Sequence, residues 1–103
     1  STWGVEAPEV VDLSQVRRAI REEHKLKIAY KNGEGVESVR VIWPVAMAYH
    51  TDAVVIAAWC ELRQDLRHFR PDRISACEAL EEGFTGAGDS LRQTWIAGYA
   101  DWL

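Results

Sequence analysis

Cysteine, methionine and proline are scarce in this sequence: two, one and three among 103 residues. Two cysteines cannot supply the dense disulfide framework of small secreted domains, and neither a C-x-x-C spacing nor a nearby His pair suggests a metal. Cys60, flanked by Trp59 and Leu62, and Cys77, flanked by Ile74 and Leu80, read as reduced thiols packed like small apolar groups. No apolar run approaches the roughly 18 residues of a membrane span. Ser1 to Val10 has neither the basic start nor the apolar centre of a secretory signal. The expectation is a soluble, cytoplasmic protein without a membrane partner. Positive charge is also in deficit, with 12 Lys and Arg against 16 Asp and Glu and a net charge of −4. This argues against a general DNA-coating protein, because phosphate contacts need a basic surface, although an acidic total can still hide a local basic patch.

Catalytic signatures are missing as well. The sequence has no G-x-S-x-G elbow, Walker A loop, G-x-G-x-x-G turn or H-E-x-x-H pair. Its three histidines, His24, His50 and His68, fall on separate elements without ligand spacing. His24, near a helix C-terminus, suits a dipole partner better than a catalyst. Gly83 to Gly88 is too loosely spaced to cradle a phosphate. The chain is therefore expected to be non-catalytic, with no metal and no cofactor.

What is present is the composition of one globular domain, 48% hydrophobic and 27% charged. Five tryptophans are many for 103 residues. Trp3, Trp95 and Trp102 lie near the two ends, so both ends are expected to pack on this domain or on a neighbour, and the chain reads as a fragment of a larger protein.

Residues 1–11 form a linker or junction, interrupted by Pro8. Asp12 or Ser14 then caps a helix over about residues 13–23, with Leu13, Val16, Ala19 and Ile20 at helical spacing and charged residues opposite. From Leu26 the period falls to two: Leu26, Ile28 and Tyr30 alternate with Lys25, Lys27 and Lys31, as in a half-buried strand. Asn32 to Gly35 is a turn. In the next strand Val39, Val41 and Trp43 share one side, and Ser38, Arg40 and Ile42 the other. Pro44 marks a strand end, an edge or a bulge. Val45 to Tyr49 is expected as a short third strand, and Ala53 to Cys60 as a strand covered on both faces. Leu66 to Arg70 is a further strand, broken by Pro71-Asp72. Arg73 to Leu80 is extended, Glu81 to Gly88 is a loop, and Asp89 or Ser90 caps a last helix carrying Leu91, Trp95, Ile96 and Tyr99. The class is α+β, with a small β-barrel of about five strands between an N-terminal and a C-terminal helix, since closure removes exposed edges. The domain is drawn at residues 12–80, with loop and helix over 81–103.

The segment richest in chemistry is Ala57 to Ile74. Arg63, Arg67, Arg70 and Arg73 stand there against Asp65 and Asp72, and guanidinium forks at that density suit phosphates or carboxylates. Alternation places Arg67 on the side of Phe69. If Phe69 enters the core, Arg67 points inward, where a charge needs a partner or a ligand. From the residues alone an anion-binding surface and a salt-bridged rim remain equally open. Tyr49 and His50, at a strand end before a turn, are placed to reach a ligand. Trp43 and Trp59 fit core positions, while Trp95, Tyr99 and Trp102 fit a face packed on the barrel or on a second subunit.

Across Arg40 to Ile74 the sequence resembles the WYL domain of bacterial transcriptional regulators. The match consists of the R-x-x-x-P stretch at Arg40 to Pro44, the apolar strand Val54 to Trp59, and the R-x-F-x-x-D-R-I ending at Arg67, Phe69, Asp72, Arg73 and Ile74. With the strand of Ile28 and Tyr30 it extends over roughly residues 14–80. Val54-Val55-Ile56 stands where the family has its Trp-Tyr-Leu tripeptide. The resemblance implies an SH3- or Sm-like barrel that senses an anionic effector, a nucleotide or single-stranded nucleic acid, through basic and aromatic residues. It further implies a homodimeric regulator that meets duplex DNA only through a helix-turn-helix domain not visible in this chain. The implied ligand-binding residues are Arg63, Arg67, Arg70, Arg73, Tyr49 and His50. The competing reading is an oligomerisation or protein-interaction module without a small ligand.

Overall fold

The computed structural model describes the backbone of residues 11–50 and 52–102 and the side chains of residues 11–49 and 52–98. Helix α1 runs from Leu13 to Glu22, and the Asp12 carboxylate caps it by accepting the Ser14 N–H at 2.9 Å. Its apolar stripe buries Val16 and Ala19. Glu23 ends the helix in a left-handed conformation, φ 56°. His24, expected at the helix end, is instead the first residue of strand β1 (His24–Lys31), its Nδ1 2.9 Å from the Leu80 carbonyl oxygen.

Four further strands follow: β2 (Glu37–His50), β3 (Ala53–Cys60), β4 (Asp65–Phe69) and β5 (Ile74–Gly83), the last after a 3₁₀ turn at Pro71–Arg73. They form one antiparallel sheet in the order β4-β3-β2-β1-β5. Val45 to Tyr49 is not a separate strand. β2 continues through Pro44, and the register against β3 slips between Pro44 and Ala46, leaving Val45 as a bulge. A bulge absorbs the missing proline N–H without ending the strand. The loop expected from Glu81 likewise begins later, because β5 runs on to Gly83. Helix α2 (Gly88–Trp102) closes the chain. No helix among the described residues is long and apolar enough to cross a membrane.

This is the expected α+β arrangement, five strands with a helix at each end. The ladder stays open, since β4 and β5 are not paired. The sheet nevertheless curls. Tyr30 on β1 and Phe69 on β4 are separated by two intervening strands, which in a flat sheet means roughly 14 Å. Their rings meet edge-on at 5.1 Å. The inner face therefore holds the main core, where Leu26, Ile28, Ile42, Ile56 and Phe69 pack with Val16 and Ala19 of α1. A smaller cluster on the outer face, Val45, Ala57 and Phe84, receives Leu91 and Trp95 of α2. Trp95 also donates its indole N–H to His68 at 2.8 Å. Tyr99 and Trp102 lie outside the described side chains.

Cys60 is buried and Cys77 half-buried, both as free thiols, and burial pushes the Cys77 thiol above its ordinary value.

Candidate anion-binding site

β4 is a five-residue edge strand that carries one of the four expected arginines, Arg67, and its pleat sets the face on which Arg67 lies. Arg67 pairs with Ala58 and lies on the Phe69 face, as the alternation requires. It does not point into the core. Phe69 is 1% exposed, yet Arg67 two residues earlier is exposed. The reason is the edge: no strand lies beyond β4, and the curl that seals the core acts at Phe69, against Tyr30.

The structure does not gather the four arginines into one cluster. Arg63 lies exposed in the turn before β4, and Arg70 and Arg73 follow its far end, about 17 Å away along the strand. Arg70 is committed to Asp72, with Nε and Nη2 each 2.9 Å from a carboxylate oxygen. This fork raises the Arg70 pKa and lowers that of Asp72. Arg73 rests its guanidinium against the β1–β2 turn, 3.4 Å from the point a Gly33 Cβ would occupy, beside a recess of about 420 Å³ that Lys31 and Asn32 also line. Among the described residues, Arg63, Arg67 and Arg73 form no ion pair. Tyr49 is 78% exposed at the end of β2. The His50 side chain lies outside those described.

The residue that the site reading missed is Arg40. Of the two sides of β2, the one bearing Ser38, Arg40 and Ile42 is the inner one: Arg40 is 8% exposed and Ile42 0%, whereas Val39 is 62% exposed. Arg40 stands opposite Ile28 on β1. Its Nε donates to Ser38 Oγ at 3.1 Å and its Nη1 reaches Cys60 Sγ at 3.7 Å. The guanidinium carbon sits 5.9 Å from the Phe69 ring centroid, a cation–π distance. No carboxylate pairs with it among the described residues. A guanidinium cannot shed its proton in a protein, so this is a buried charge without a counter-ion. The signal was legible in Arg40 sharing its side of the strand with Ile42, but arginine density pointed to the segment around β4.

The outer face treats its charge differently. Lys25 is buried and pairs with Glu61 at 2.9 Å and Glu82 at 2.8 Å. Its Nζ also lies 4.8 Å over the Trp43 ring. Trp43 donates its indole N–H to Glu61 at 2.8 Å. That bond first, and Lys25 second, hold the Glu61 carboxyl below its ordinary value. Hydrogen bonds to Glu82 and then Glu61 raise Lys25. Among the described residues no three His, Cys, Asp or Glu side chains gather as a metal would require.

The sequence model of the WYL domain matches residues 12–79, more than half of the chain. No protein of curated function matches. Among solved structures, the chain is similar to Proteasome accessory factor B/C (PafBC) of Arthrobacter aurescens, with a TM-score of 0.67 and 22% identity. That match covers 76% of this chain and 12% of the other, so the two share a fold over a small part of the larger protein.

Proposed function

Since the chain belongs to the WYL domain family, we propose that it is the effector-sensing domain of a bacterial transcriptional regulator, and that its effector is an anion, a nucleotide or a short single-stranded nucleic acid. The observation that carries this reading is Arg40, a buried charge with no carboxylate partner, on the same sheet face as Arg67. Arg40 touches Cys60, and Arg67 pairs with Ala58 two residues along the same strand. Two arginines that form no ion pair thus flank β3 on the inner face, which also carries the exposed Asp65 opposite Cys60, and a phosphate held between the two guanidinium groups would neutralise them. Arg73 is the third candidate; Arg70 already serves Asp72. Val54, Val55 and Ile56 offer no ring for a base to stack on, so charge carries most of the recognition. Duplex DNA would be read by a separate helix-turn-helix domain of such a regulator.

The test is calorimetric titration with nucleoside monophosphates and short single-stranded oligonucleotides at rising salt. Binding that weakens with salt, falls in Arg67→Ala and is not restored by Arg67→Lys is the expected result. Wild-type affinity in both Arg67→Ala and Arg40→Met would overturn the assignment.

A second reading keeps one observation of its own. Ile96 on α2 is 53% exposed, an apolar side chain that a homodimer contact through α2 would cover. Analytical ultracentrifugation of Ile96→Asp against the wild-type chain decides whether α2 serves that role.

A further inference from the structure

The outer face carries a second cavity of different chemistry. It measures about 590 Å³, within the range of small-molecule sites, and lies between Trp59 of β3 and the start of α2. Ala87 and Leu91 form the wall opposite the strands, and Glu61 and Gln64 supply polar groups. Sequence reasoning placed both Trp43 and Trp59 in the core, yet the structure leaves both half-exposed.

The two tryptophans are not equivalent. The Trp43 ring stacks on Phe84 at 5.6 Å and 10°, carries Lys25 and donates to Glu61, so it is fully occupied. Among the described residues the one ring that Trp59 meets is the tilted ring of Trp43, at 6.3 Å and 46°. Its indole N–H donates no hydrogen bond there. A half-exposed indole beside a cavity, with an aliphatic wall across from it, is a slot for a flat ring.

Charge narrows the class of that ring. Lys25 is held by Glu61 and Glu82, and Arg92 by Asp89 and the Val45 carbonyl. Of the described residues that line the cleft only Glu61 is charged, and the nearby cations Lys25 and Arg92 are both already bonded. At the start of α2 the Glu23 carboxylate accepts the N–H groups of Gly86 at 2.8 Å and Gly88 at 3.1 Å, so negative charge already sits at that end of the helix. An anion entering here would meet the Glu61 carboxylate and no cation among the lining residues. A cation would meet the indole face and the Glu61 carboxylate.

We propose that this cleft is a second ligand site, which binds a planar heteroaromatic cation stacked on Trp59 and oriented by Glu61 and Gln64. It lies on the opposite sheet face from Arg40 and Arg67, and it stands or falls independently of the anion site. The test titrates the full chain with 1-methylnicotinamide, a planar monocation, and with nicotinate, the same ring as an anion. Indole and methyl resonances are followed by NMR. The expected result is saturable shifts at the Trp59 indole N–H and Leu91 methyls with the cation and none with nicotinate. Trp59→Leu should weaken the cation by about tenfold, and Glu61→Gln should reduce its advantage over neutral nicotinamide. Shifts mapping elsewhere, equal binding of the anion, or no saturation in the wild-type chain would each refute the site, whether or not the variants fold.

Discussion

The hydroxyl of Tyr30 accepts the backbone N–H of Arg70 at 3.1 Å while the Tyr30 ring packs edge-on against Phe69. One side chain of β1 thereby grips the far end of β4 and keeps the open sheet curled. Phe69→Ala removes the ring that fills this closure, and is expected to destabilise the chain by about 3–5 kcal/mol. Tyr30→Phe keeps the packing and orphans only the Arg70 N–H, for about 1 kcal/mol. Denaturant melts of the two variants check the ranking; equal losses would show that the hydroxyl holds the curl as firmly as the ring does.

Glu23 joins the end of α1 to the start of α2, through its carboxylate to Gly86 and Gly88 and through its carbonyl to the Phe84 N–H at 2.8 Å. A Cβ at Gly83 would lie 2.7 Å from that carbonyl oxygen, a backbone atom with little room to move. A Cβ at Gly88 would collide with the Glu23 carboxylate, the mobile end of a side chain. Gly83→Ala is therefore expected to cost roughly 1–3 kcal/mol, and more than Gly88→Ala. Thermal melts that reverse this order would show that the carboxylate bridge holds the junction more rigidly than the backbone does.

Arg40 and Arg67 should separate stability from binding. Arg40→Met replaces a buried, uncompensated charge by an apolar chain of similar length, so stability should be unchanged or higher. Arg67→Ala removes an exposed side chain without an ion pair and should shift stability by less than about 0.5 kcal/mol. Anion affinity should fall in both. A strong loss of stability in Arg40→Met would mean that Ser38 and the Phe69 ring stabilise the guanidinium sufficiently without a ligand.

The Lys25–Glu61 network predicts behaviour at both ends of the pH scale. Glu61 lies below its ordinary 4.5 in the folded chain. Its contribution is complete above that value and is lost as pH falls through the lower folded one. Lys25 lies above its ordinary 10.5, so its share is complete below that value and is lost as pH rises through the folded one. Glu61→Gln should flatten the acid limb of a stability–pH profile. Because the Glu61 side chain is 37% exposed, solvent screening keeps the effect small. An acid limb identical to wild type would exclude Glu61 as a contributor.

Much of the fold was legible in order along the chain. The helix of Leu13 to Glu22, the change of period at Leu26, the strand Ala53 to Cys60 and the break at Pro71 all follow from local spacing and local sterics, which neighbours in sequence determine. Three features were decided only by the assembled sheet. Pro44 came to lie inside β2, beside the bulge at Val45, because β3 on one flank of β2 tolerates a slipped register. Arg67 stayed in solvent, although its side of the strand was read correctly, because nothing covers an edge strand at that point. Arg40 was buried and Trp59 left half-exposed because the sheet curls toward α1 and α2 covers only part of the outer face. Alternation tells which residues share a face; how deeply each face is covered depends on elements far away in sequence. The sequence by itself thus determined the elements and the sides of each strand, and tertiary packing decided which charges lost their water.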